Sequence, residues 1–89
     1  MAMSKLNIRL ELKALQITGS TEGEEGVYAR LLADRDLKAT VDVRYFGYNR
    51  QRKRYRETRK GLIFNQEQLK VLIAHLTTLQ DEILRKGLA

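Results

Sequence analysis

The hydrophobic pattern of this chain changes its period at Asn65, and that change constrains the fold more than any other feature. Before Asn65, short runs alternate apolar and polar residues, which is the period of a half-buried strand. From residue 66 to residue 86, apolar residues recur every three or four positions, which indicates an amphipathic helix. Asn65 can cap this helix, Gln68 can complete a capping box, and Gly87 suits the position after its end. The apolar residues of the predicted helix are Leu69, Leu72, Ile73, Leu76, Leu79 and Ile83.

Four extended segments precede the helix, separated by residues typical of turns. The first, KLNIRLELKALQI, alternates until its phase slips after Ala14, which predicts a bulge or bend there. Short connections favour an antiparallel meander, and the last two strands form a hairpin whose tip is residues 49–53. The predicted strands are 5–17, 27–33, 39–46 and 60–64. The expected fold class is α+β, a four-stranded antiparallel sheet followed by one C-terminal helix that covers one face.

The chain is short for a core of its own. A domain of 89 residues buries only about 60–65% of the surface of its unfolded form. It has no cysteine and one histidine, His75, so neither a disulfide nor a structural zinc site can stabilise it. A helix of about 21 residues is near 30 Å long, which is long for so small a domain. Its apolar residues other than Ile73 fit a heptad a/d seam. We therefore predict a homodimer whose interface contains the six apolar helix residues, with His75 at the border of the helix–sheet or subunit interface.

Several classes of protein are disfavoured. No apolar run approaches the roughly 20 residues of a membrane helix, and the first residues, MAMSKLNIRLELK, lack the apolar region of a signal peptide. An intracellular protein with no membrane partner is expected, in the cytoplasm or nucleoid, or in the nucleus of a eukaryote. No phosphate loop, nucleophile elbow or Ser/His/Asp spacing is present, so we predict no enzyme, cofactor, metal or small-molecule substrate. Asp34, Asp36 and Asp42 are interpreted as surface acids.

The net charge of +6 resides in one segment. Residues 50–60 carry seven basic side chains and one acid, Glu57, whereas the rest of the chain has ten basic and ten acidic residues. A confined cluster suits a partner that carries phosphates, although a solvated arm or a localisation-like run would have the same composition. The seven residues are Arg50, Arg52, Lys53, Arg54, Arg56, Arg59 and Lys60.

Aromatic residues lie among and beside these cations. Alternation places Tyr45 with the apolar residues of the third strand, towards the core. We expect Phe46, Tyr48 and Tyr55 to be exposed, where they would stack either on bases or on Arg side chains. Single-stranded nucleic acid needs both cations for its phosphates and rings on which unpaired bases stack, at about 1–3 kcal/mol per base. A duplex would more often be read by a basic helix, and the helix here has balanced charges. On the sheet face away from the helix, which we expect to be open, the predicted contacts are Tyr28, Arg30, Arg44 and Phe46.

The order of motifs from residue 39 onward resembles a known family. The segments VDVRYF (residues 41–46), RKGLIF (59–64) and NQEQLKVL (65–72) match, in order and spacing, the pattern of the single-stranded-DNA-binding domain of the transcriptional coactivators called positive cofactor four. That family has bacterial and viral relatives. The match covers about half of the chain at motif level.

The resemblance implies a homodimer of two strongly curved four-stranded sheets, with the helices at the subunit interface and antiparallel single strands running across both sheets. It implies backbone contacts by Arg44, Arg59 and Lys60. Further contacts would come from Lys38, Arg54 and Arg56. The chain departs from the family where a stacking tryptophan is expected, since Gly47 stands there, and Tyr48 or Phe46 would replace it. The hairpin tip is also more basic than in the family and has no proline.

The sequence therefore predicts a single nucleic-acid-binding domain over residues 1–89. Its predicted function is sequence-tolerant binding of single-stranded DNA in transcription, replication or repair. Two alternatives stay open: an RNA-binding protein of the same fold, and a protein-interaction module that docks an acidic partner on its basic arm.

Overall fold

A computed structural model describes residues 10–19, 21–36 and 38–88. The elements are β1 (Leu10–Thr18), β2 (Gly26–Ala33), β3 (Ala39–Asn49), β4 (Arg54–Phe64) and α1 (Gln66–Arg85). The strands form one antiparallel sheet in the order β1-β2-β3-β4. This confirms the predicted α+β class, with a four-stranded meander followed by a C-terminal helix. The part of the first predicted strand before residue 10 lies outside the described residues.

The hairpin of β3 and β4 is longer than the sequence pattern indicates. β3 continues to Asn49 and β4 already begins at Arg54, so most of the basic segment is strand and only residues 50–53 form the tip. The Asn49 Oδ1 atom accepts a hydrogen bond from the backbone N–H of Arg52 at 2.9 Å, and this side-chain-to-backbone bond closes the tip. Lys53 ends it in the left-handed region, with φ of 54°.

Register shifts interrupt two of the strand pairs. Between β1 and β2 they lie on either side of Ala14, between Glu11 and Lys13 and again after Gln16, rather than at Ala14 itself as predicted. Between β3 and β4, Arg44 pairs with Gly61 but Phe46 pairs with Glu57. The segment 58–60 therefore stands opposite the single residue Tyr45, as a β-bulge.

The helix ends are specified locally, as predicted. The Asn65 side chain accepts from the backbone of Gln68 at 2.8 Å, and the Gln68 side chain accepts from the backbone of Asn65 at 3.0 Å, which completes the capping box. At the other end, Gly87 has φ of 67° and Leu88 donates to the carbonyl of Ile83 at 3.0 Å, a Schellman motif. Within the described residues, no helix has the length and apolar content needed to cross a membrane.

α1 lies on the face of the sheet that carries Val43 and Tyr45, as predicted, but does not close it. On the helix-side face, which carries Val27, Val43, Tyr45, Leu62 and Phe64, the side chains line an open groove of about 510 Å³ against α1. No residue of α1 is buried. The radius of gyration is 16.0 Å, against about 12 Å for a compact chain of this length.

Large apolar side chains are mostly exposed in this arrangement. Among the described residues, the buried apolar ones are Tyr28, Leu32 and Ala33. In the same described ranges, fifteen large apolar residues are exposed. They are Leu10, Leu12, Leu15, Ile17, Leu31, Tyr48, Leu62, Ile63, Val71, Ile73, Leu76, Leu79, Ile83, Leu84 and Leu88. A single chain therefore leaves most of its apolar surface in water.

The other side of the sheet is the arginine face, formed by Tyr28, Arg30, Asp42, Arg44 and Phe46. The expectation that the side chains of this face are exposed is wrong for two of them, since Tyr28 is 7% exposed and Asp42 is 1% exposed. The interpretation of Asp42 as a surface acid is wrong for the same reason. Asp42 lies directly opposite Arg30 in the register of β2 and β3, and this placement encloses the carboxylate between basic side chains.

Candidate nucleic-acid interface

The basic hairpin, residues 48–60, presents its cations to solvent. Of its seven Lys and Arg residues, Arg56 is half-buried and the others are exposed. Arg56 Nε lies 3.5 Å from Glu57 Oε1. In the described part of the chain, no other cation of the hairpin lies within salt-bridge distance of a carboxylate. The exposed and unpaired residues are Arg50, Arg52, Lys53, Arg54, Arg59 and Lys60.

Two tyrosines stand among these cations. Tyr48 and Tyr55 are direct cross-strand partners, with ring centroids 5.2 Å apart and an edge-on interplanar angle of 72°. Tyr48 is 55% exposed, so part of its ring is accessible while its partner holds it in place. An exposed ring supported from one side is what an unpaired base can stack on.

Phe46, the other predicted replacement for a stacking tryptophan, is already in contact with its neighbours. Its ring centroid lies 4.9 Å from that of Tyr28, and the Cζ atom of Arg30 lies 5.2 Å from the centroid in a cation–π contact. Tyr28 in turn donates its hydroxyl to the Glu24 carbonyl at 2.9 Å, which fixes it to the turn between β1 and β2. The geometry therefore favours Tyr48 over Phe46 and Tyr28 as a base platform.

Asp42 holds the two arginines of the arginine face. Its carboxylate accepts from Arg44 Nη2 at 2.7 Å and Nε at 3.1 Å, and from Arg30 Nε at 3.2 Å. Arg30 Nη2 also forms an ion pair with it. Burial raises the pKa of the Asp42 carboxyl, but the hydrogen bonds from Arg44 and Arg30 and their positive charges outweigh it, so the pKa lies below its ordinary value.

The two arginines differ in their other partners. Arg30 Nη1 lies 3.3 Å from Glu11 and 3.7 Å from Glu57, so three carboxylates surround this guanidinium. Arg44 has Asp42 as its one carboxylate partner among the described residues, and its Nη1 donates to the Thr58 carbonyl at 3.3 Å. The positive charge of Arg30 is thus neutralised by nearby carboxylates, whereas in the described ranges Arg44 has only the Asp42 carboxylate, which it shares with Arg30.

The bulge opposite Tyr45 carries Arg59 and Lys60, the pair that the family resemblance marks for backbone contact. Thr58 ties the bulge: its hydroxyl donates to the Tyr45 carbonyl at 2.8 Å and accepts from the Lys60 N–H at 3.2 Å. Lys60 Nζ lies 5.8 Å from the Tyr45 ring centroid, and Lys60 lines the groove on the helix-side face. Both side chains are exposed, but Lys60 is directed towards the apolar groove.

Lys38 lies away from the rest of the predicted contacts. It follows the turn between β2 and β3, where its N–H donates to Asp34 Oδ1 at 2.9 Å. This is the end of β3 opposite the hairpin tip, roughly 35 Å away along the strand. A contact by Lys38 would need a ligand that crosses the whole sheet.

The predicted dimer seam is accessible along its length. Leu69 and Leu72 are half-buried, whereas Ile73, Leu76, Leu79 and Ile83 are 45–59% exposed. His75 lines a second groove, beside residues 62–64. Among the described residues, no cluster of His, Cys, Asp and Glu could hold a metal ion.

Three residues of this region were not recognised from the sequence: Asp42, Thr58 and Gly61. For Asp42 a signal exists, because the alternation of VDVR places it on the same strand face as Arg44. The contacts of Thr58 and Gly61 depend on the bulge and have no local signal.

Comparison of the chain with models of protein families, with curated proteins and with solved structures finds no match.

Proposed function

We propose that this chain is a sequence-tolerant single-stranded DNA-binding protein that acts as a homodimer in transcription, replication or repair. The observation that carries the proposal is the basic hairpin, which among the described residues bears six exposed, unpaired cations and a tyrosine, Tyr48, that is 55% exposed. Cations that follow the phosphates and a ring for an unpaired base are the two parts that single-strand binding requires.

In this proposal the phosphates are neutralised by Arg54, Arg56 and Arg59 on β4, by Lys60, and by Arg44 on β3. Bases stack on Tyr48, supported by Tyr55. α1 is a poor alternative reader of a duplex groove, because its charges pair with each other: Lys70 lies 3.7 Å from Glu67, and Arg85 pairs with Glu82. The order of strands, bulge and capped helix supports a relationship to the positive cofactor four type of domain.

The proposed homodimer is supported by the exposed apolar surface. Both the helix-side groove and the seam of α1 are lined by large apolar residues, and burial of such surface stabilises by about 25 cal/mol per Å². A second copy offers the same groove and seam, so that the patch on one subunit can bury the same patch on the other in an isologous interface. Light scattering at micromolar concentration should give the mass of two chains, and a monomer mass would contradict this part of the proposal.

The strand preference is tested by fluorescence anisotropy, with labelled single-stranded DNA, its duplex and the matching RNA over a range of salt concentrations. Tighter binding of the single strand than of the duplex supports the proposal, and equal or tighter duplex binding contradicts it. Equal affinity for RNA would favour the RNA-binding alternative. Failure to bind any oligonucleotide at low salt, with capture of an acidic protein, would favour the protein-interaction module.

The phosphate path is tested by removing Arg59 and Lys60, singly and together, by substitution with alanine. Each phosphate of a single strand that the protein no longer neutralises lowers the slope of log affinity against log salt by about 0.7, so the double variant should show a slope lower by about 1.4 per protomer. Arg35→Ala with Lys70→Ala is a matched control, because it removes the same charge from exposed positions outside the hairpin. An unchanged slope in the double variant would exclude both residues from the phosphate path. A lower slope in Arg59→Ala but not in Lys60→Ala would assign Lys60 to the apolar groove.

A further inference from the structure

The guanidinium of Arg44 is held on two sides. Nε and Nη2 donate to Asp42 Oδ1 at 3.1 and 2.7 Å, and Nη1 donates to the Thr58 carbonyl at 3.3 Å. An arginine has five N–H donors. These contacts use one donor on each of the three nitrogens, so one N–H on each terminal nitrogen is left. Two N–H donors on one planar guanidinium can bind a phosphate bidentately.

Gly61 provides the space for this guanidinium. A Cβ atom at Gly61 would lie 2.7 Å from both Cζ and Nε of Arg44, and 2.5 Å from the Val43 carbonyl oxygen. The φ angle of Gly61 is not in the left-handed region, so the requirement for glycine is one of space and not of backbone conformation. The glycine of the RKG segment and the arginine of VDVR are therefore coupled by direct contact across β3 and β4.

Arg30 binds the same carboxylate, but two further carboxylates lie beside it. Glu11 and Glu57 approach its Nη1 at 3.3 and 3.7 Å, and Phe46 lies against the guanidinium. A phosphate at Arg30 would face three carboxylates, and like charges at this distance repel strongly. Its side chain is 12% exposed and that of Arg44 is 15% exposed, so the difference lies in their partners and not in their accessibility.

We infer that Asp42 is a positioning residue for phosphate binding, which holds Arg44 with one N–H donor left on each terminal nitrogen and uses Arg30 as its structural counter-ion. This inference rests on the proposed function and deepens it. Asp42 touches no ligand itself. It prevents the Arg44 side chain from sampling other rotamers, so less conformational entropy is lost when a phosphate binds.

The first test compares Arg44→Lys with Arg30→Lys, using a fluorescein-labelled oligothymidine strand and anisotropy at low salt. Both variants keep the positive charge, and both lose a planar guanidinium that binds the Asp42 carboxylate. Arg44→Lys should weaken binding about tenfold, as expected for the loss of a charge-assisted bidentate contact, and Arg30→Lys should change it less than about twofold. Equal losses, or a larger loss with Arg30→Lys, would overturn the inference.

The second test places Asp42→Asn in the wild-type chain and in the Arg44→Lys chain. A positioning role predicts that Asp42→Asn weakens binding about fivefold with Arg44 present and has no further effect with lysine there, which is a coupling of the two sites. A merely structural role predicts the same loss in both chains, and that result would overturn the inference. If the Asp42 variant does not fold, the comparison of the two lysine variants decides alone.

These outcomes separate the inference from the proposed function. A wild-type protein that binds no oligothymidine at low salt contradicts both. A wild-type protein that binds it, with no difference between Arg30→Lys and Arg44→Lys, contradicts the inference alone.

Discussion

The two faces of the sheet reverse the usual distribution of polarity. The helix-side face is apolar, yet its groove is open and no residue of α1 is buried. The arginine face contains three charged groups, yet Asp42 is 1% exposed and its two arginine side chains are 12% and 15% exposed. In most folded chains, apolar side chains are buried and charged ones stay in water.

The difference shows on which face the side chains find all their partners within one chain. On the arginine face each buried charge has partners of opposite sign, which is the condition under which a charge can be buried at all. On the helix-side face α1 covers the large apolar side chains only in part, and in the described part of the chain the groove between them stays open. The proposed dimer would supply this missing surface, whereas the arginine face needs nothing from a second subunit.

The largest expected effect comes from a charge on the helix side. Leu76→Glu places a carboxylate where the proposed dimer buries a leucine, which removes about 1.5–3 kcal/mol of burial and adds the cost of the charge. We expect a monomer by light scattering and a loss of at least about 3 kcal/mol in unfolding free energy.

Thr78→Glu is the matched control for this variant, because Thr78 lies two residues further on and so on the opposite side of α1. It should keep the dimer mass. An unchanged mass and melting temperature in Leu76→Glu would show that the apolar seam is not an interface, and the comparison of the two faces would lose its explanation.

Removal of the carboxylate on the arginine face should have the next largest effect. Asp42→Ala leaves two largely buried guanidinium groups without their shared counter-ion, and breaking a buried pair in this way costs about 3 kcal/mol or more. Urea unfolding at a fixed protein concentration measures it. Asp36→Ala, at an exposed position of the turn after β2, is the control and should cost less than about 0.5 kcal/mol. Similar losses in both variants would mean that Asp42 is not a centre of stability.

Acid should also lower the unfolding free energy through Asp42, but by less than Asp42→Ala does, because a protonated Asp42 can still accept hydrogen bonds. The pKa of Asp42 is lowered in the folded state, so the folded state binds this proton less readily than the unfolded state. Its contribution is complete above the pKa of the unfolded chain and is lost as the pH falls through the lower pKa of the folded chain. Unfolding free energy measured from pH 7 to pH 3 should fall at the acid end, and Asp42→Asn should reduce that fall. An identical acid dependence in the variant would contradict the assignment to Asp42.

The fold was predictable because its signals are local. The change of period at Asn65, the capping box with Gln68 and the glycine at position 87 each depend on residues within a few positions of one another, and all three are found in the structure. Alternation along each strand likewise predicted which residues share a face.

The packing of the faces was not predictable, because it depends on register between strands. Asp42 is buried because it stands opposite Arg30 of β2, and no pattern within VDVRYF specifies that partner. Gly61 meets Arg44 only because the bulge at residues 58–60 shifts β4 relative to β3. The sequence of its own strand therefore makes Asp42 resemble a surface acid, and only the register with β2 places it opposite Arg30.

Smaller effects on stability and on binding should distinguish two aromatic residues, Phe46 of the arginine face and Tyr48 of the basic hairpin. Phe46→Ala removes the ring that contacts Tyr28 and Arg30 and should cost about 2 kcal/mol of stability. Tyr48→Ala should cost less than about 1 kcal/mol of stability, but should weaken single-strand binding by about 1–3 kcal/mol through loss of stacking. Thermal unfolding and anisotropy on both variants measure the two quantities. Loss of binding in Phe46→Ala without loss of stability would reassign the platform to Phe46.

The smallest effect is expected at the rim of the arginine face, where Glu57 approaches both Arg30 and Arg56. Its side chain is 45% exposed, and exposed ion pairs contribute little, so Glu57→Gln should change stability by less than about 0.5 kcal/mol. The same change removes the one acid of the basic segment, and tighter binding of a single strand at low salt should result, because the local repulsion of phosphates falls. A stability loss like that of Asp42→Ala would show that the buried centre and the exposed rim of this face act as one unit. Unchanged binding would place the phosphate path away from Glu57, towards the hairpin tip.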